Sequence, residues 1–319
     1  MPISVSACII CLNEAHRIAA ALDSLLWCDD IVVVDSGSTD NTRAIVESHR
    51  ARPRFIHHPW AGYSAQRKFA VEQCRHDWVL ALDADEECSQ ELAAEIARLT
   101  ADRTGPIAQF RMPRKNYIGG RYVRCWSPDD QFRLLHKSRV QWEPQSAPEV
   151  RHPLAGYRTA RLKGPLLHNR LTPFDLRDFN DGPRMAEHAY ILAQAMAASG
   201  RRATFMQLLL RPPITFLKYY ILRGGILQGR FGLAISYKTT IGVMLKYSVL
   251  YAREQWNLCS DDTPNRRQFS PATAEPIRGV HTDKALAAPP GISVSPAGES
   301  PPQASGRLES DSNAGANAG

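Results

Sequence analysis

The chain has 319 residues, 44% of them hydrophobic, and a formal net charge of +7, enough apolar material for one large domain or two moderate ones. Its seven scattered cysteines, an odd number, argue against a disulfide framework. The N-terminal stretch Met1–Ile10 lacks the basic region and cleavage site of a secretory signal, so a cytosolic chain is expected.

The first hundred residues alternate strand and helix patterns. Ser4–Ile10 reads as an apolar strand, and Glu14–Leu26 has helical spacing through Ile18, Leu22 and Leu25. Cys8 and Cys11 have Cys-x-x-Cys spacing, but residues i and i+3 of a strand face opposite sides, which argues against a redox or zinc pair. Ile31–Val34 is a β-branched strand, Thr42–Ser48 a helix, Arg54–His57 a short strand, Ser64–Gln73 a helix and Trp78–Leu82 a fourth strand. Ser89–Leu99 follows as a helix with Ser89 as N-cap. This order predicts an α/β fold with a mostly parallel sheet flanked by helices. From Ile107 to His168, Pro and Gly interrupt short strand-like pieces: Ile107–Met112, Tyr117–Val123, Gln131–His136 and Thr159–Leu162. A helix is expected from Asp175 to about Ala198, then a basic apolar segment to Trp256. Beyond Ser260, Pro, Ser, Ala and Gly dominate and predict a disordered tail.

The chemistry concentrates at strand ends. Cys11-Leu-Asn-Glu14, Val34-Asp-Ser-Gly-Ser-Thr-Asp40, Gly62-Tyr-Ser-Ala-Gln-Arg-Lys68 and Asp83-Ala-Asp85 fall where an open α/β sheet lines its ligand crevice. Asp83 and Asp85, just past an apolar strand, suit a hard divalent cation, Mg²⁺ or Mn²⁺, that bridges phosphate oxygens. Taken alone, the same pair also fits an acidic solvated turn.

These stretches, with Gln66-Arg67 and Leu82-Asp-Ala-Asp-Glu86, resemble the family-2 glycosyltransferases and their GT-A fold over residues 3–100. Downstream, Gln131-Phe-Arg-Leu-Leu-His-Lys137, Trp142, Glu149 and Leu167-His168 resemble the acceptor half of the lipopolysaccharide-core β-glucosyltransferase branch. Phe216-Leu-Lys-Tyr-Tyr220, Gly225, Gln228-Gly229 and Gly232 resemble its C-terminal helical segment. The resemblance implies a GT-A domain over 1–172, with a donor half 1–100 and an acceptor half 101–172. A helical membrane-associating region then spans 173–258 and a disordered tail 259–319.

The same resemblance assigns roles. Asn13, Glu14, Asp35, Arg67 and Asp83 line the nucleotide-sugar site, Asp35 meeting uracil or ribose and Arg67 the diphosphate. Asp85 ligates the metal, with Asp83 beside it and His168 completing the shell. An inverting transfer needs a carboxylate to take the acceptor proton. Glu149 is the candidate, although Pro148 stands where the branch often has His; Asp129 and Asp130 are the rivals. The implied reaction moves a hexose, UDP-glucose favoured, onto a saccharide, lipopolysaccharide core ahead of a polyprenyl-linked glycan.

Between His188 and Arg253 there is no Asp or Glu, while Arg201, Arg202, Arg211, Lys218, Arg223, Arg230, Lys238 and Lys246 alternate with apolar residues. That block suits an anionic membrane surface on the inner face of the cytoplasmic membrane. The segment Leu208–Tyr251 is read as lying in the membrane interface rather than spanning it, with Phe231–Ala252 as an in-plane helix that has Leu233, Val243 and Leu250 among the residues of its apolar side; a core-packed helical bundle is the rival reading. No nucleic-acid-binding motif accompanies it, though a polyanion-binding protein is the rival from another class. A sugar nucleotidyltransferase is opposed by the absence of Gly in Cys11–His16, and a haloacid-dehalogenase-type phosphatase by Glu87 where its motif needs Thr.

Overall fold

The computed structural model describes residues 1–143, 151–169 and 182–255, with side chains from 185 onward in the last stretch. Four strands run parallel in the order β3-β2-β1-β4: β1 (Val5–Cys11), β2 (Ile31–Asp35), β3 (Arg54–His57) and β4 (Trp78–Asp83). The near-continuous apolar runs of β1, β2 and β4 are explained by burial on both faces, whereas β3 at the sheet edge is only partly buried. Ile9, Val33 and Leu82 enter one core cluster, and Cys8, Val32 and Ala81 enter the other. Cys11 lies with the first cluster and Cys8 with the second, and both are free thiols on opposite faces, as their spacing predicts.

The helices between them are α1 (Ile18–Asp23), α2 (Thr42–Ser48), α3 (Tyr63–Glu72) and α4 (Gln90–Ala97), followed by a single turn, α5 (Ala101–Thr104). Ser89 caps α4 as expected, its hydroxyl accepting the Leu92 N–H at 3.2 Å. The first helix is shorter than its apolar spacing predicts. Asn13 adopts a left-handed backbone (φ 56), and the Glu14 and Ala15 amides bond to Thr42 Oγ1 at 2.8 Å and Asp40 Oδ2 at 3.1 Å. The stretch before Ile18 is therefore tied to the loop after β2.

Beyond β4 the sheet becomes mixed. β8 (Asp129–His136) pairs antiparallel with β4 and with β6 (Ile107–Ile118); β6 then pairs parallel with β11 (Arg158–Arg161) and β12 (Leu166–Asn169). The interruption expected at Pro113 does not occur. β11 pairs with β6 up to Arg111 and β12 begins at Arg114, so Pro113 falls in the gap between these two partners. A short strand not evident in the sequence, β5 (Glu86–Cys88), pairs antiparallel with β12 and closes this edge. β7 (Arg121–Tyr122) folds back on β6, and β9 (Val140–Trp142) forms a small separate ribbon with β10 (Arg151–Pro153).

The helical region comprises α6 (Gly182–Ala198), α7 (Phe205–Leu217) and α8 (Gly229–Gln255), with one wider turn at Lys218–Leu222 and a tight turn at Gly225–Gln228 between the last two. A capping box between Thr204 and Gln207 starts α7. These helices attach to the sheet through Ile235, packed with Ile118, Val123 and Cys125, and through the Trp126 indole donating to Thr239 Oγ1 at 2.8 Å. Leu250 is buried, and Leu233 and Val243 are half-buried, so the side of α8 expected to meet lipid faces protein instead. Among the described residues, no helix is long and apolar enough to cross a membrane. The expected helix start at Asp175, the candidate base Glu149 and the tail beyond Ser260 lie outside the described residues.

Candidate functional site

The carboxyl ends of β1, β2 and β4 come together as the strand order requires. At β2, the Asp35 carboxylate builds the turn after the strand. Oδ2 accepts the Gly37 and Ser38 amides, both at 2.9 Å, and Oδ1 accepts the Ser38 hydroxyl and, at 3.6 Å, the Cys11 thiol. Burial alone would raise the Asp35 pKa, but the Ser38 and Gly37 hydrogen bonds hold it below the usual carboxylate range. The lone-pair positions of this carboxylate are thus largely committed inside the protein. Asn13 locks the same turn from the β1 side: Oδ1 accepts the Thr39 amide at 2.8 Å, and its own amide donates to Ser38 Oγ at 2.8 Å.

From α3, Gln66 and Arg67 point inward and are almost fully buried. Gln66 bridges Ser36 Oγ, at 3.1 Å, to His58. Arg67 donates to the Leu82 carbonyl at 2.7 Å and grips Asp83 Oδ1. Arg133 of β8 takes the other oxygen of Asp83 and also donates to Glu86 Oε1 at 2.8 Å. Its Nε lies 2.8 Å from Glu86 Oε2, but the N–H is not aimed to make a bond. Arg114 continues the chain, reaching Glu86 Oε1 and Asp129 Oδ2, each at 2.8 Å. Burial opposes ionisation of Asp83, yet Arg133 and Arg67 outweigh it and hold the carboxyl far below its ordinary value. Burial likewise works against the Arg133 charge, and Asp83 and Glu86 raise its pKa instead.

Asp85 is placed differently. Its Oδ2 lies 3.1 Å from His168 Nε2 on β12 and 3.8 Å from Arg17 Nη1, while Arg17 Nε donates to Glu14 Oε2 at 2.7 Å. Asp85 and His168 are therefore brought together, with Glu14 linked to them through Arg17, whereas Asp83 turns toward the arginines. The His168 ring state follows from its neighbours. Asn116 donates through its amide nitrogen to the Trp126 carbonyl and Asp129 Oδ1, which fixes its oxygen toward His168 Nδ1 at 2.7 Å. Nδ1 must then carry the proton. A neutral ring so oriented turns the Nε2 lone pair onto a carboxylate oxygen. Such a facing pair of acceptors holds either a second proton or a metal cation, with Asn116 as the orienting partner typical of a ligating histidine. The O and N donor set fits Mn²⁺ or Mg²⁺ completed by phosphate oxygens. Among the described residues no three acidic, histidine or cysteine side chains converge to hold an ion unaided.

Asp130 is not part of this cluster. Alternation along β8 sends Asp129, Gln131 and Arg133 to the side of Glu86 and Asp83, and Asp130 to the other side. There Arg111 and Arg161 bind it, each at 3.1 Å. On the near side of the undescribed residues around Glu149, the Glu143 carbonyl accepts the Ser64 hydroxyl of α3 at 2.9 Å. On the far side, Arg151 donates to Gln109 Oε1 at 3.2 Å and to the Phe132 carbonyl of β8, near Arg133 and Arg67. Burial, then those two cations, lower its pKa to about 9.

Sequence reasoning missed the work of Arg133, Glu86, Arg114 and Asn116. The first two lie inside stretches already singled out, and period-2 alternation puts Arg133 on the same face as Asp129, without saying which face lines the site. Arg114 and Asn116 carry no local mark.

The profile of Glycosyl transferase family 2 matches residues 6–163. The lipopolysaccharide core biosynthesis glycosyltransferase LpsC of Rhizobium meliloti (strain 1021) is 31% identical over 261 residues, covering 77% of this chain and 93% of that protein. A protein described as an uncharacterized glycosyltransferase, from Rickettsia felis, is 49% identical over 98 residues, 30% of this chain and 34% of that one. The crystal structure of S. aureus TarS 1-349 aligns over 77% of this chain and 91% of that one, at 18% identity and a TM-score of 0.41.

Proposed function

From the premise that this chain belongs to glycosyl transferase family 2 and is a glycosyltransferase, we propose that it moves a hexose, with inversion, from UDP-glucose to a saccharide of the lipopolysaccharide core. The convergence of Asp85 and His168 beside the Asp83–Arg67–Arg133 cluster carries the donor half of this reading. The likeness to LpsC along most of both chains supports the acceptor half, ahead of a polyprenyl-linked glycan. On this reading the acceptor is lipid-linked and the enzyme works at the cytoplasmic face of the membrane.

In this mechanism the turn held by Asn13 and Asp35 receives the nucleoside, a ligand hydroxyl or N–H taking the place of Ser38 Oγ at Asp35. Arg67 and Arg133 keep Asp83 ionised and fixed, so the floor of the cleft is set before the donor arrives. Asp85 and His168 would hold a divalent cation, with Asn116 orienting the ring and Glu14–Arg17 steadying the carboxylate. When bound, that cation neutralises charge on the diphosphate leaving group. Glu149 takes the proton of the acceptor hydroxyl as its oxygen attacks the anomeric carbon and the C–O bond to UDP breaks.

The test is a thermal-stability screen of nucleotide diphospho-sugars with and without Mn²⁺, because a ligand that binds only the folded state stabilises it. UDP-glucose with Mn²⁺ should raise Tm most, and a chelator should reverse the gain. If no nucleotide sugar shifts Tm, or the shift ignores the metal, the donor assignment fails.

A further inference from the structure

We propose that α7 and the turns after it form the surface that docks this protein on an anionic lipid membrane, in place of the inward-facing side of α8. The inference rests on the functional reading above, in which the acceptor is lipid-linked, and it assigns the contact to particular side chains. α7 has no buried residue. Leu209, Leu210, Ile214, Leu217, Leu222 and Leu227 are 43–82% exposed. At helical spacing the first four share one arc of α7, and Arg211 and Lys218, both exposed, lie on the neighbouring arc. Ile214, Leu217, Lys218, Leu222 and Arg223 line a shallow groove across this surface.

The opposite side of α8 extends the patch. Tyr237, Ile241 and Met244 are exposed there, and the Tyr237 ring lies 4.9 Å from Phe216 of α7. The two helices thus present one continuous apolar surface, whereas Leu250 and Tyr247 pack inward with Ala193 and Ala203.

The occupant follows from charge. A contiguous apolar patch of this kind on a soluble unit marks an interaction site. No acidic residue occurs between His188 and Arg253, while Arg201 and Arg202 just before α7, Arg211 on it, Lys218 at its end and Arg230 at the start of α8 are all exposed. A second copy would bring like charge against like charge across a two-fold axis. A nucleic acid would match the cations but leave the leucines in water. Lipid with anionic headgroups matches both: acyl chains cover the leucines and headgroups meet the cations.

Cosedimentation of the full-length protein with phosphatidylglycerol–phosphatidylethanolamine vesicles, against phosphatidylcholine vesicles, tests this. Binding to the anionic vesicles should be at least about tenfold tighter and should weaken in about 0.5 M salt. The Ile214→Glu/Leu217→Glu/Leu222→Glu variant should lose about tenfold or more of that binding with an unchanged Tm, since all three residues are already in solvent. Leu154→Glu, at an exposed leucine outside the patch, should bind as the parent does. If the triple variant melts early, Lys218→Glu/Arg230→Glu at two exposed cations decides the matter by the same loss. Equal binding to neutral and anionic vesicles overturns the proposal, as does undiminished binding by the variants. Self-association abolished by the triple variant, without vesicle binding, identifies a second copy as the occupant. Vesicle binding that appears only when residues 262–319 are removed identifies the C-terminal segment instead. Vesicle binding is read without donor or acceptor. A protein that binds lipid but transfers no hexose to a detergent-solubilised acceptor therefore overturns the functional reading alone.

Discussion

The cleft at the carboxyl edge of the sheet and the helical region after residue 182 treat charge in opposite ways. In the cleft, Asp83, Glu86 and Asp129 alternate with Arg67, Arg133 and Arg114, so each charge is held by an opposite one. In the helical region cations run from Arg201 to Arg253 with no acid among them, and leucines stand in solvent. A closed network of this kind fixes side chains before any ligand arrives, which suits electrostatic catalysis. On the reading proposed above, the contrast separates the part that performs chemistry from the part that brings the enzyme to its acceptor.

The largest expected effect breaks the cleft side of this comparison. Asp85→Asn keeps the shape of the side chain but removes the charge facing His168 Nε2. Hexose transfer should fall by about three orders of magnitude or more, and Mn²⁺-dependent stabilisation by UDP should vanish while the fold persists. Wild-type turnover in this variant, or in excess chelator, would sink the metal assignment.

A second pair of substitutions sharpens the acceptor side. Glu149→Gln should lower kcat by about two to four orders of magnitude with little change in donor affinity. Asp130→Asn should stay close to the parent, because its carboxylate is spent on Arg111 and Arg161 across the sheet from Asp83. The reverse outcome in a single-turnover assay would return the base to Asp130.

How far the sequence foretold this arrangement depended on the range of the interactions involved. β1, β2 and β4 were plain because burial on both faces leaves unbroken apolar runs, and the motif residues at their ends were placed by strand order alone. The glycosyltransferase family was legible in those same motifs, and the nucleotidyltransferase and polyanion-binding rivals fell with the family assignment. β5 was not legible, because three residues acquire strand geometry only from pairing with β12, some eighty positions on. Choosing between Asp129 and Asp130 required the facing of β8. Alternation says that two neighbours diverge, but only the pairing with β6, which shifts register between Phe110 and Arg111, says which one enters the cleft. The misjudged side of α8 has a similar origin. Helical periodicity separates cations from apolar residues, yet α8 packs against both α6 and α7, so its half-buried lysines run along protein and its outer stripe is apolar.

The smallest effects test whether the helical region is docked on its own turn or merely adjacent to it, and two glycines of α8 make the comparison within one helix. Gly232 is packed so closely on the Gly225–Gln228 turn that an added Cβ would stand 1.9 Å from the Gly225 carbonyl oxygen. Backbone cannot yield that distance without moving the turn, so Gly232→Ala should destabilise by about 1–3 kcal/mol, the usual cost of overpacking. Gly242 faces a looser neighbour: the nearest atoms to its added Cβ are Met185 Cγ and Sδ at 4.0 Å, ordinary contact distance on a flexible side chain. There the gain in helix propensity is unopposed, and Gly242→Ala should stabilise by up to about 1 kcal/mol. For a folded unit of this size each kcal/mol moves Tm by roughly 2–4 °C, so the two variants should bracket the parent in one melting experiment. Equal and opposite placement is not required; a Gly232→Ala melt at or above the parent would show that the turn is not docked on α8. A Gly242→Ala melt below the parent would show that α6 presses on α8 more tightly than the Met185 contact indicates.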